Sequence, residues 1–155
     1  MADVVRVGEK APDFVLKDHN EREVRLSDLK GKKVLLSFHP LAWTKVCAEQ
    51  MKSLEAHVAQ LEKLNTVALG MSVDTVPSKK AWAHELGIEK TSLLSDFWLH
   101  GEVAKSYGIF REKSGTSERA NIIIDGEGRV MFVKVYPVAQ LPDIDEILRV
   151  LESKK

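Results

Sequence analysis

The stretch Val34-Leu35-Leu36-Ser37-Phe38-His39-Pro40-Leu41-Ala42-Trp43-Thr44-Lys45-Val46-Cys47 runs from a strongly apolar segment into the first turn of a long amphipathic one. Val34 to Phe38 is nearly continuously apolar, as expected of a strand covered on both faces. From Thr44 to Leu64 the apolar positions Cys47, Met51, Leu54, Val58 and Leu61 recur at spacings of four and three. That period predicts one helix with Cys47 on its core-facing stripe, and Thr44 is placed as its N-cap. A lone cysteine is most often a small buried apolar residue. At a strand-to-helix junction, however, a thiol meets the positive end of the helix dipole and amides that lack intrahelical acceptors. Those surroundings favour a nucleophilic thiolate.

The flanking sequence alternates strands with helices. Asp13–Leu16 and Glu23–Leu26 read as an N-terminal hairpin around Lys17-Asp18-His19-Asn20, and Ser27–Gly31 as a brief helical turn. Val67–Val73 is a second buried strand. A helix follows, with Pro77 in its first turn and Gly87 at its end. After Ser92-Leu93-Leu94, Gly101–Tyr107 is a short helix stopped by Gly108. Asn121–Ile124 and Val130–Val135 flank Asp125-Gly126-Glu127-Gly128 as a hairpin. Pro142 to Leu151 closes the chain as a helix burying Ile144, Ile147, Leu148 and Leu151. This order predicts an α/β fold with a central mixed sheet flanked by helices. No repeats, linkers or low-complexity tracts interrupt it.

The 155 residues are expected to form a single domain spanning 1–155. Lys+Arg and Asp+Glu are 23 each, a balance that argues against nucleic-acid or anionic-membrane partners. No run approaches a membrane span, and the polar start Met1-Ala2-Asp3 does not resemble a signal peptide. One cysteine excludes an intrachain disulfide, so the cytoplasm is the expected compartment.

Other candidate groups are fewer. The five histidines are scattered and form no ligand pattern, and no second cysteine is present for a zinc or iron–sulfur site. A metal site is not expected. His39 stands out because it adjoins Pro40 and is placed to influence Cys47. Arg119 precedes the buried strand at the end of the polar loop Lys113–Glu118. It could counter a thiolate's charge, although spacing alone reads it as a surface arginine. Trp43 and Trp98 are core residues or an exposed aromatic patch; Phe97 reads as core.

Pro40-x-x-x-Thr44-x-x-Cys47, following a buried strand and opening a helix, resembles the active-site signature of the peroxiredoxins. Gly8-Glu9-Lys10-Ala11-Pro12-Asp13-Phe14 is similar to that family's opening. Asp96-Phe97-Trp98-x-His100-Gly101-Glu102-Val103-Ala104-Lys105-x-Tyr107-Gly108 and Glu118-Arg119-Ala120 are similar to its later blocks, in the same order. The subgroup most resembled is the bacterial one-cysteine type related to alkyl hydroperoxide reductase E and the bacterioferritin-comigratory proteins. The resemblance implies a thioredoxin-like fold with an N-terminal β-hairpin extension and no cofactor. It maps the peroxidatic cysteine onto Cys47, the active-site threonine onto Thr44 and the arginine onto Arg119. The shielding proline maps onto Pro40, and Trp43 beside it is expected to help exclude water and line the substrate site.

The implied activity is a thiol-dependent peroxidase acting on hydrogen peroxide and organic hydroperoxides through a Cys47 sulfenic acid. Three departures bear on it. No resolving cysteine exists, so an external thiol must regenerate Cys47: thioredoxin, a glutaredoxin-like protein or a low-molecular-weight thiol. Gln50 stands where many members carry glutamate, and His39 where an aromatic is usual. The alternative is a thioredoxin-fold redox sensor or binding module without peroxidase turnover. A homodimer is expected, with Trp43, Val76 and Trp98 supplying apolar surface near the site.

Overall fold

Val34, Leu35, Leu36 and Phe38 are all buried, and they make β3 (Lys33–Phe38) an inner strand of a seven-stranded sheet. The structure is a computed structural model that describes residues 3–154, so Met1 and Ala2, on which the reading of the chain's start partly rested, lie outside it. β3 pairs in parallel with β4 (Thr66–Ser72), and β4 in parallel with β5 (Ser92–Ser95). On its other side β3 pairs antiparallel with β8 (Arg119–Ile124), whose hairpin partner β9 (Val130–Tyr136) forms one edge. β1 (Val15–Asp18) joins β5 antiparallel and carries β2 (Glu23–Arg25) at the far edge. The order β2-β1-β5-β4-β3-β8-β9 is a mixed sheet, as the alternation of segments predicts.

The two faces of the sheet bury different sets. Leu35, Leu93 and Ile123 pack against Cys47, Met51 and Leu54 of α1 (Lys45–Ala56), Leu61 of α2 (Val58–Lys63) and Trp82 of α3 (Val76–Leu86). Ile147 and Leu151 of α5 (Ile144–Ser153) join the same cluster. Val34, Leu36, Phe38, Leu69, Met71 and Ile122 face Ala104 of α4 (Glu102–Ser106), with Tyr107 and the N-terminal segment. Gly70 sets how closely α1 approaches. A Cβ there would collide with Met51 Sδ and lie 2.8 Å from Leu93 Cδ2. The missing side chain is what seats the helix carrying Cys47 against β4.

Four expectations are corrected. The helix read over Thr44–Leu64 is two helices, broken at His57 (φ −112°, ψ 16°). The His57 ring Nδ1 lies 2.8 Å from Ser53 O, the acceptor its own amide would use, and that amide bonds Leu54 O at 3.2 Å instead. Apolar spacing carries no trace of the break, because Leu61 still reaches the core. Arg119 is not in a loop. It is the first residue of β8, paired with Tyr136 and only 2% exposed. Phe97 is 45% exposed rather than core. Finally, a short hairpin of β6 (Phe110–Arg111) and β7 (Thr116–Ser117) occupies what read as polar loop, its strands too brief to show a period.

Candidate active site

Between β3 and α1 the chain turns through His39, Pro40, Leu41, Ala42, Trp43 and Thr44. His39 and Pro40 are buried, and Trp43 is exposed. Trp43 has φ of 70°, a left-handed value unusual for a bulky residue. Two tethers hold that turn: the Ala42 amide donates to Asp74 Oδ2 at 2.8 Å, and Trp43 Nε1 donates to Ser78 Oγ at 3.1 Å. Thr44 occupies the N-cap position with extended backbone, as its sequence position predicts. The expected side-chain cap is not made. The Thr44 hydroxyl turns back and donates to Leu41 O at 2.7 Å, closing the loop rather than the helix.

Cys47 is the third residue of α1, so its amide and the two before it have no intrahelical acceptor. Its thiol has no exposed surface. Arg119 reaches it from β8, Nη1 donating to Cys47 Sγ at 3.3 Å. The same nitrogen donates to Gln50 Oε1 at 2.8 Å, and Arg119 Nε donates to Val138 O at 2.9 Å. Cys47 and Arg119 are therefore brought together, with Thr44, Pro40 and Trp43 on the loop immediately before the thiol.

Gln50 answers the question raised by the glutamate it replaces. One turn beyond Cys47, its amide accepts from Arg119 and its Nε2 donates to Ser37 Oγ at 2.7 Å and Phe38 O at 3.2 Å. Ser37 Oγ donates onward to Asn121 Oδ1 at 2.8 Å. Asn121 Nδ2 lies 3.4 Å from the Tyr136 hydroxyl, which donates to Glu146 Oε1 at 2.9 Å. A carboxylate has no hydrogen to give, so only an amide satisfies both ends of this chain. Among the described residues no carboxylate lies in salt-bridge range of Arg119. A buried guanidinium whose protein acceptors are all neutral favours an anion beside it, and the sulfur is the ionisable acceptor it touches.

On the other side of the loop, His39 packs against Trp82 with ring centroids 5.4 Å apart and planes tilted by 42°, and its Nε2 lies 3.4 Å from Lys79 Nζ. Burial, then the charges of Lys79 and Arg119, hold the imidazole well below its usual range, so it is neutral. Ser37 and Asn121 were missed in the sequence, although each is a polar interruption of an apolar strand that could have marked it. Lys79 carried no such signal, being one of two adjacent lysines on a helix. Among the described residues no group of three or more His, Cys, Asp or Glu side chains is placed to hold a metal ion.

A buried thiol at a helix N-terminus, met by an arginine from the neighbouring antiparallel strand of a thioredoxin-like sheet, defines a class of thiol enzyme. The AhpC/TSA family model matches residues 7–133. Alkyl hydroperoxide reductase E of Mycobacterium tuberculosis is 38% identical over 141 residues, covering 90% of this chain and 92% of that one. Peroxiredoxin-2 of Bos taurus is 33% identical, covering 95% of this chain and 77% of that one. The crystal structure of AhpC from Enterococcus faecalis superposes with a TM-score of 0.89 at 26% identity over 99% of this chain and 93% of that one. The reduced 2-Cys peroxiredoxin of Plasmodium vivax gives 0.86 at 32% identity over 96% and 81%. The chain belongs to the AhpC/TSA family: it is a peroxiredoxin, a thiol-dependent peroxidase.

Proposed function

We propose that Cys47 is the peroxidatic thiol and that residues 1–155 form a single peroxiredoxin domain working through a one-cysteine cycle. The Cys47 thiolate attacks the terminal oxygen of a hydroperoxide. The new S–O bond forms as the O–O bond breaks, and the departing hydroxide or alkoxide takes a proton to leave as water or alcohol. The observation that carries this reading is the 3.3 Å bond from Arg119 Nη1 to Cys47 Sγ, made by a buried guanidinium with no carboxylate partner in range among the described residues.

Arg119 stabilises the thiolate and then the charge on the departing oxygen. The Cys47 amide offers a second donor, and the Thr44 hydroxyl exchanges Leu41 O for a peroxide oxygen. Pro40 shields the sulfur, and Trp43 covers the mouth of the loop. No cofactor enters the cycle. Hydrogen peroxide and organic hydroperoxides are the substrates, and an external thiol resolves the sulfenic acid because this sequence has no second cysteine. Thioredoxin, a glutaredoxin-like protein and a low-molecular-weight thiol all meet that requirement.

The protein works as a homodimer in the cytoplasm. Trp43, Phe97 and Trp98 are 55%, 45% and 76% exposed, the last two lining a groove with Val76 and Pro77, and this apolar surface is what a second copy would cover. No helix among the described residues is long and apolar enough to cross a membrane. The test is chemical. One equivalent of peroxide should add one oxygen by intact mass, in a form trapped by dimedone, and Cys47→Ser should lose both. A wild-type thiol that reacts no faster than free cysteine would leave a redox sensor or binding module in its place.

A further inference from the structure

Lys79, on α3, is wholly buried, and nothing in the peroxide chemistry above uses it. Its ammonium has three hydrogens and finds three acceptors: Ser72 Oγ at 2.7 Å, Leu94 O at 2.9 Å and His39 Nε2 at 3.4 Å. Ser72 Oγ passes its own proton to Asp74 Oδ2 at 2.6 Å. That same carboxylate oxygen receives the Ala42 amide. A continuous hydrogen-bonded path thus joins a buried cation to the middle of the loop that precedes Cys47.

We propose that Lys79 is a positioning residue for the peroxide reaction: through Ser72 and Asp74 it fixes the Ala42 amide, and with it the left-handed turn at Trp43 that closes over Cys47. Its role in catalysis rests on the assignment of Cys47 as the reacting thiol; the tether itself does not. The charged form of Lys79 is what completes the path. Burial brings its amine down to about 7, against the opposing pull of Asp74, Cys47 and Asp96. These groups face it from the ends of β4 and β5 and from α1. His39 faces it from the end of β3, while His19, in the β1–β2 turn, and Arg119, on β8, bear on the same cluster at longer range. A neutral amine has two hydrogens for three acceptors. The Ser72 hydroxyl then accepts from a neutral amine, a weaker bond than the one from the ammonium, and is held less firmly toward Asp74. The turn is held tightly while Lys79 is protonated and loosens as the proton leaves.

Hydrogen exchange at the Ala42 amide, followed by NMR, reads the tether without any peroxide. Lys79→Met and Ser72→Ala should each exchange about tenfold faster than wild type near pH 6, the loss expected for one charge-assisted bond. The variant-to-wild-type ratio should fall towards one by about pH 8.5, once wild-type Lys79 is itself neutral. Ser72→Ala keeps the lysine and removes only a hydroxyl, so it serves if Lys79→Met does not fold. For Ser72→Ala, which leaves every charge in place, the ratio of peroxide rate constants, wild type over variant, should follow the same pH course. A ratio of one at every pH overturns the tether. A ratio above one that does not change with pH reduces Lys79 to packing. Ala42 protection that follows the expected course in a protein without fast peroxide reaction keeps the tether and removes the assignment of Cys47.

Discussion

Gln50→Glu isolates the electrostatics of the site, because it changes one atom type at the residue sharing Arg119 with the thiol. Gln50 Oε1 and Cys47 Sγ accept from one nitrogen at 2.8 and 3.3 Å, so the two acceptors lie at most about 6 Å apart. A carboxylate at that separation, kept ionised by Arg119, opposes the thiolate with about 3 kcal/mol at an effective dielectric of about 20. The rate constant for hydrogen peroxide near pH 7 should therefore fall, by at most roughly a hundredfold. The substitution also removes the donor to Ser37 Oγ and sets an oxygen against Phe38 O, which should cost about 1–3 kcal/mol of stability. Stopped-flow peroxide kinetics across pH, with a urea melt on the same samples, measures both. A Gln50→Glu protein that reacts as fast as wild type at neutral pH would refute the claim that a neutral partner at this position favours the thiolate.

Arg119→Ala should slow the peroxide step about 30- to 150-fold, a barrier increase of about 2–3 kcal/mol. It should also lower the urea midpoint, since Gln50 Oε1 and Val138 O lose their donor; unchanged kinetics in the folded variant would end its role. Thr44→Val should be slower than Thr44→Ser, which keeps the hydroxyl that now closes on Leu41 O; equal rates would show that the hydroxyl is idle. Gly70→Ala should destabilise the fold by about 1–3 kcal/mol by forcing Met51 off the sheet, read as a lower thermal midpoint. With peroxide in excess and no added thiol, catalytic turnover should cease after one cycle, further peroxide only carrying the Cys47 sulfenic acid on to sulfinic acid, and sustained multiple turnover would contradict the one-cysteine cycle.

The sheet and its helices were legible because their signals are periodic. Val34–Phe38 is apolar throughout and Cys47, Met51, Leu54 recur at helical spacing, so strand, helix and the thiol's place followed directly. Arg119 was legible only through the resemblance of Glu118-Arg119-Ala120 to a known block. Its residue type says surface, and its burial is decided by partners 69 and 72 positions away, Gln50 and Cys47. Lys79 was out of reach for the same reason, since Ser72, Leu94 and His39 satisfy it from three different strand ends. Local pattern predicts elements; a buried charge is explained by contacts that only the assembled sheet makes. The break at His57 is intermediate, a side-chain competition for one carbonyl that leaves the hydrophobic spacing intact.

The position of β8 between β3 and β9 has a consequence for the order in which the molecule becomes reactive. Cys47 is synthesised well before its guanidinium, and the pair meets only when β8 docks antiparallel against β3, one of the most non-local pairings in the sheet. Pairings of that kind form late, after loop closure between distant segments. A nascent or half-folded chain thus carries an ordinary thiol, without the bond from Arg119. On the assignment of Cys47 as the reacting thiol, heightened sensitivity to peroxide should arrive with the completed sheet.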